Sequence, residues 1–110
     1  MMRTELPVVA QPRMDLQAPD VAEAEAAASL LGDRVRASIL RMLRDGPHCV
    51  CELAAALGER ENNVSNHLAK LRDGGLVHAV RHETNGRFQY YARDEAATAA
   101  ALAALAEVLR

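Results

Sequence analysis

Two thiols and an imidazole stand together in His48-Cys49-Val50-Cys51, and these are the only cysteines in the 110-residue chain. Thiolates are soft ligands that suit thiophilic ions, and imidazole is a borderline one. In mid-helix, a spacing of two would turn the cysteines roughly 200° apart. At a helix start it need not. Gly46 and Pro47 place Cys49 near an N-cap, where its side chain can swing towards Cys51. The helix dipole there lowers thiol pKa values. A bridge inside one three-residue segment is expected to be badly strained. The pair therefore reads as a metal or thiol-redox site, with His48 as a third donor. The plain alternative is a small buried Cys49 beside an incidental surface Cys51.

A second group of polar side chains follows at helical spacing. Between 61 and 73, Val64, Leu68 and Leu71 define an inward stripe. At 100° per residue, Asn62, Asn66, Ala69, Lys70 and Asp73 point away, with Asn63, Ser65 and His67 on the flanks. Asn can bond base edges bidentately, Ala69 allows close approach and Lys70 suits a phosphate. This face reads as a DNA-reading surface made of Asn62, Asn63, Ser65, Asn66, His67 and Lys70. His67, beside the core, is either a packed histidine or a DNA contact. The bland reading of the whole face is a solvated helix surface.

These groups need a scaffold, and the chain supplies one in order. Residues 1–19 hold Pro7, Pro12 and Pro19 without an apolar period, as a flexible tail does. Residues 20–110 read as one folded domain. Residues 20–31 read as a helix capped by Asp20, with Glu23 completing a capping box. Gly32-Asp33 breaks and recaps the chain for a helix over 33–44, whose arginines Arg36 and Arg41 read as solvating it or, alternatively, as phosphate or minor-groove contacts. Helices over 49–57 and 61–73 follow, separated by Gly58. Strands over 76–82 and 87–93 flank Asn85-Gly86, a strong hairpin signal. Arg81 and Arg87 would sit on that hairpin as phosphate or minor-groove contacts. A last helix, 95–109, is capped by Asp94. It carries so few charges that more than one of its sides is expected to be buried. The fold class is mostly α (α+β): four helices, two strands and a fifth helix, a generic winged helix-turn-helix.

Composition sets bounds. One small domain, half apolar and without Trp, favours a helical core of small and medium side chains. The net charge of −2 is unevenly spread: residues 32–93 hold ten Lys/Arg against seven Asp/Glu, and all four His. The basic excess thus lies over the motif, where a nucleic-acid partner needs it. No apolar run approaches the ~20 residues that span a bilayer. The start lacks a secretion-signal layout, and both points favour the cytoplasm. No Ser/His/Asp, paired-carboxylate or phosphate-loop arrangement suggests an enzyme.

The segments LGDRVRASILRMLRDG (31–46), CVCELAAALG (49–58), NVSNHLAKLRDGGLV (63–77) and GRFQYY (86–91) resemble the ArsR/SmtB family of winged helix-turn-helix repressors. The resemblance spans about residues 22–107. It implies a symmetric homodimer joined through residues 21–31 and 95–109 and bound to double-stranded operator DNA. It implies that Cys49 and Cys51 bind an inducer ion, As(III) or Sb(III), alternatively Cd(II), Pb(II) or Zn(II), and that binding releases the DNA; another metal such as Ni(II) is a rival reading. No cofactor is required. The chain departs from its relatives in three places. Ala54 stands where the arsenic-sensing type has a third Cys, and the N-terminal segment offers no Cys. Of the zinc-type pattern on the last helix, only Asp94 survives. The two-sulfur site fits As(III) best. Rival readings are a redox or persulfide sensor of the same fold, and a winged-helix interaction module that binds no DNA.

Overall fold

The computed structural model describes residues 13–81 and 89–110. Five helices, α1 (Pro19–Leu31), α2 (Arg34–Met42), α3 (Val50–Leu57), α4 (Glu61–Asp73) and α5 (Glu95–Leu109), surround a three-stranded antiparallel sheet. Its strands are β1 (His48–Cys49), β2 (Val77–Val80) and β3 (Tyr90–Arg93), in the order β1-β3-β2. The mostly helical winged architecture expected from the pattern is therefore present. The hairpin pairs Val77 with Arg93 and Val80 with Tyr90. The Asn85-Gly86 turn lies outside the described residues.

Three local features differ from the expectations or add to them. First, α1 starts at Pro19, not at an Asp20 cap. Ala18 is the N-cap and makes no side-chain cap bond. Proline pre-sets the first helical φ, which moves the start one residue back. Second, β1 was not legible. His48 pairs with Tyr91 and Cys49 with Tyr90, a two-residue pairing too short to leave a period. Third, no residue of α5 is fully buried, and Leu102 and Leu109 are 68% and 81% exposed. Within one chain α5 packs along α1, which covers a single side of it.

The core forms where the stripes of α2, α3 and α4 meet the sheet: Ile39, Leu53, Val64, Leu68 and Leu71 are the largest fully buried side chains. Val64, Leu68 and Leu71 are the inward stripe read from the helical period. Asp33 caps α2 as expected, its Oδ1 accepting from the N–H groups of Val35 at 2.8 Å and Arg36 at 3.1 Å. The bond from the Arg36 N–H, above all, holds its carboxyl below the ordinary 3.8, against a smaller opposing effect of burial. A group with a lowered folded pKa stabilises above its unfolded value and loses that contribution as pH falls through the folded one. Asp33→Ala should therefore lower the thermal midpoint at neutral pH, and the gap to wild type should close as pH drops below 3.8. An unchanged gap at low pH would refute this account of the cap.

Candidate DNA-reading helix and thiol site

α3 and α4 form a helix-turn-helix through a short joint. Gly58 adopts φ 66°, ψ 31°, the left-handed conformation that side chains disfavour, and its N–H donates to Ala54 O. Glu59 N–H donates to the same carbonyl at 3.0 Å. The chain then re-enters a helix at Glu61 with its apolar stripe already turned to the core. That seating leaves Asn62, Ser65, Asn66 and Lys70 exposed on one face.

Two other members of the expected set are engaged elsewhere. Asn63 is half-buried and its Nδ2 donates to Glu59 Oε2 at 2.9 Å, which ties α4 back to the turn. His67 is turned towards α2 with its side chain only 14% exposed. Its Nδ1 lies 3.1 Å from Arg36 Nη1, and its Nε2 lies 3.7 Å from Asp33 Oδ1. Of the two readings left open for His67, this is the packed, hydrogen-bonded one. Arg81 is exposed at the end of β2. Arg87 lies outside the described residues.

The cysteines stand where β1 becomes α3. Cys49 is the N-cap, in extended conformation at φ −82°, ψ 163°. It forms a capping box: Glu52 N–H donates to Cys49 Sγ at 3.3 Å, and Cys49 N–H donates to Glu52 Oε1 at 2.9 Å. The sulfur takes the place that a serine or threonine hydroxyl usually fills. Cys49 is thus the cap that Gly46 and Pro47 point to, and the Cys-x-x-Glu spacing supplies the reciprocal bond. The structure also joins Cys49 and Cys51 in a disulfide, with Cα atoms 5.3 Å apart. The bridge that the two-residue spacing is expected to strain is thus closed in the structure. Cys49 lies outside the helix, so its Cβ is free to face the first turn, where Cys51 sits.

His48 does not complete a three-donor group. Among the described residues its Nδ1 is buried without a hydrogen-bond partner, 3.6 Å from Glu52 Oε1. Among the described residues, no three His, Cys, Asp or Glu side chains gather as a metal-holding cluster. The donor types fit a soft ion: two adjacent sulfurs at a helix N-terminus, one buried and one half-buried. The donor number is two, and both are available only when the pair is reduced. Asp94, the remnant of the zinc-type pattern, caps α5 through Ala97 N–H at 2.8 Å.

Arg93 is a residue that sequence reasoning passed over. It grips Glu95 with Nε at 2.8 Å and Nη2 at 2.6 Å and reaches Leu40 O with Nη1 at 3.4 Å. Hydrogen bonding to Glu95 raises the arginine's pKa and lowers that of the glutamate. The pair joins the last strand to α5 and to α2.

A helix-turn-helix followed by a hairpin defines a winged helix-turn-helix protein. The profile of the family described as "Bacterial regulatory protein, arsR family" matches residues 33–79. The chain is 41% identical over 49 residues to the "Arsenical resistance operon repressor" of Escherichia coli, covering 44% of this chain and 42% of that protein. It is 43% identical over 79 residues to the "HTH-type transcriptional regulator CmtR" of Mycobacterium tuberculosis, covering 72% and 64%. The matches thus span less than two thirds of either relative. Among solved structures, NolR from Sinorhizobium fredii superposes with TM-score 0.68 at 27% identity over 90% of this chain and 96% of that one. HlyU from Vibrio vulnificus superposes with TM-score 0.61 at 30% identity, over 74% and 83%. The chain belongs to the arsR family, whose members among these relatives are transcriptional regulators and not enzymes.

Proposed function

We propose that this chain is a cytoplasmic DNA-binding repressor released from its operator by a thiophilic ion, with As(III) the preferred inducer. The observation that carries the DNA half is the exposed row Asn62, Ser65, Asn66 and Lys70, held rigid by the buried stripe behind it. Arg81 and Arg87 would add phosphate contacts on the hairpin. A symmetric dimer would join through α1 and α5, where Leu31, Leu102, Val108 and Leu109 remain exposed. Its two α4 helices would then read half-sites about 34–36 Å apart.

The sensor half rests on Cys49 and Cys51. An inducer ion would take both thiolates as ligands. Cys49 Sγ is also the acceptor that caps α3, the helix on which α4 leans. Drawing on that sulfur would loosen the first turn of α3 and move the reading helix. Coupling of this kind is reciprocal, so operator DNA should weaken ion binding by the same factor. The arsenical-resistance repressor among the relatives supports the choice of ion.

The disulfide favours a second reading, in which the pair answers to oxidation. Two thiols would lose two electrons and two protons to a peroxide or polysulfide and close the S–S bond, again acting on the α3 cap. One gel-shift experiment tests the primary reading. The chain's own upstream DNA is titrated with reduced protein in the presence of As(III), Cd(II), Zn(II) and Ni(II). Native protein should release the DNA on As(III), and Cys49→Ser/Cys51→Ser should not. A double variant that still lets go on As(III) refutes the sensor assignment. Release by oxidant alone, with a disulfide found by mass spectrometry, would establish the second reading instead.

A further inference from the structure

We propose that Arg36 is a positioning residue that locks the C-terminal end of α1 onto α4 and so sets the angle of the DNA-reading face. The inference rests on the proposal that α4 reads DNA. Arg36 does not simply solvate its helix. Its Nε donates to Leu30 O at 2.7 Å and its Nη2 to Ser29 O at 3.0 Å. Its Nη1 lies 3.1 Å from His67 Nδ1 on α4. One guanidinium thus bridges the last carbonyls of α1 and the middle of α4, from a backbone position fixed by the Asp33 cap.

The chemistry suits arginine alone. A planar fork with five fixed N–H donors can serve three acceptors in different directions, whereas a lysine ammonium on a flexible stem cannot hold that geometry. The acceptors are also natural ones. Carbonyls in the last turn of a helix lack i+4 partners, although Ser29 O also accepts from the Gly32 N–H at 3.3 Å, and the helix dipole makes them attractive to a cation. His67 Nδ1 can accept only when it carries no proton. The contact therefore selects the ring form with hydrogen on Nε2, the nitrogen that faces Asp33.

A second contact links the same two helices. Gly74, at the end of α4, leaves room for the Leu30 side chain, which a Cβ at that position would strike. Residues 67 and 74 are two helical turns apart on α4. The end of α1 is thus seated on α4 at two heights, a polar clamp at His67 and an apolar contact at Gly74. Two separated contacts fix an angle, which one contact does not. Since α1 packs along α5, any shift in that helix pair would be passed to α4 through Arg36.

Operator binding by Arg36→Met, Arg36→Lys, His67→Leu and His67→Asn tests the proposal against wild type, with salt titration and denaturant unfolding in parallel. Arg36→Met should lose about 10-fold in affinity, within the range of mutations that act through a coupled network. Arg36→Lys should not restore it, although its charge is kept. His67→Asn places an amide oxygen where Nδ1 accepts and should bind nearly as wild type, while His67→Leu should match Arg36→Met. The double change Arg36→Met/His67→Leu should be no worse than either alone. The slope of affinity against salt should be unchanged. A slope that falls by about one means a direct phosphate contact and overturns the clamp. Nitrogen NMR of the imidazole should show Nδ1 unprotonated in wild type and a changed signal in Arg36→Met. Should Arg36→Met fail to fold, the His67 pair and Arg36→Lys decide the matter. Wild-type protein that does not bind operator overturns the DNA reading together with this one. Wild type that binds, with Arg36→Met binding equally, overturns the clamp alone.

Discussion

Leu68→Ala is expected to lower the unfolding free energy by about 2–5 kcal/mol. Leu68 is 1% exposed and lies at the centre of the stripe by which α4 joins the core, with Ile39, Leu53 and Leu71 in the same cluster. Removing its branched end takes away apolar burial and leaves a space that the surrounding helices close only in part. A domain of this kind has about 5–15 kcal/mol to lose, so the change consumes a large share of the total. The variant should unfold at clearly lower denaturant with the slope of the transition unchanged. A shift worth under about 1 kcal/mol would mean that the site collapses freely and that α4 is not held from behind as described. The consequence for function follows from the same geometry. The residue touches no DNA, yet operator binding should fail wherever the folded population falls.

Asn62→Ala combined with Asn66→Ala is the test with the largest expected effect on recognition. Each side chain is exposed on the outward face. Each could make a bidentate contact worth about 1–3 kcal/mol of discrimination. Together they should lower affinity for the operator by about 100-fold or more, while binding to unrelated DNA changes little. Asn63→Ala serves as the internal comparison. Asn63 already spends a donor on Glu59, so its loss should act on the turn and reduce specificity less. Lys70→Ala should weaken all sequences alike and lower the salt slope by about one. A folded double variant that still binds the operator at wild-type strength would show the face to be merely solvated.

Much of this scaffold could be read from residue order. Val64, Leu68 and Leu71 recur at helical spacing, and the structure buries all three. Gly58 reads as a left-handed joint and adopts one. Asp33 and Asp94 read as caps, and both accept N–H groups from their helices. These features are local: a cap, a glycine turn and an amphipathic period each depend on residues within about one helical turn, so the sequence contains the whole cause. The helix-turn-helix, its outward polar row and the presence of a thiol pair at a helix start were therefore determined by the sequence by itself.

What only the tertiary structure decided lies across the chain. β1 exists because Tyr90 and Tyr91 come alongside Cys49 and His48, a pairing of residues some forty positions apart. That pairing extends Cys49 out of the helix, and the extension brings its sulfur to Cys51 and makes it the cap of α3. His67 and Arg36 were each ambiguous alone, one a flank residue and the other a surface charge. Their roles appeared only when α2 and α4 packed and set Nδ1 beside the guanidinium. A periodicity states which side of a helix faces inward. It does not state which polar group waits on the neighbouring helix, because that depends on crossing angles set by the whole core. The thiol pair near a helix start is thus a local fact, while the β1 pairing that extends Cys49, and the packing of α3 behind the outward polar row of α4, are tertiary ones.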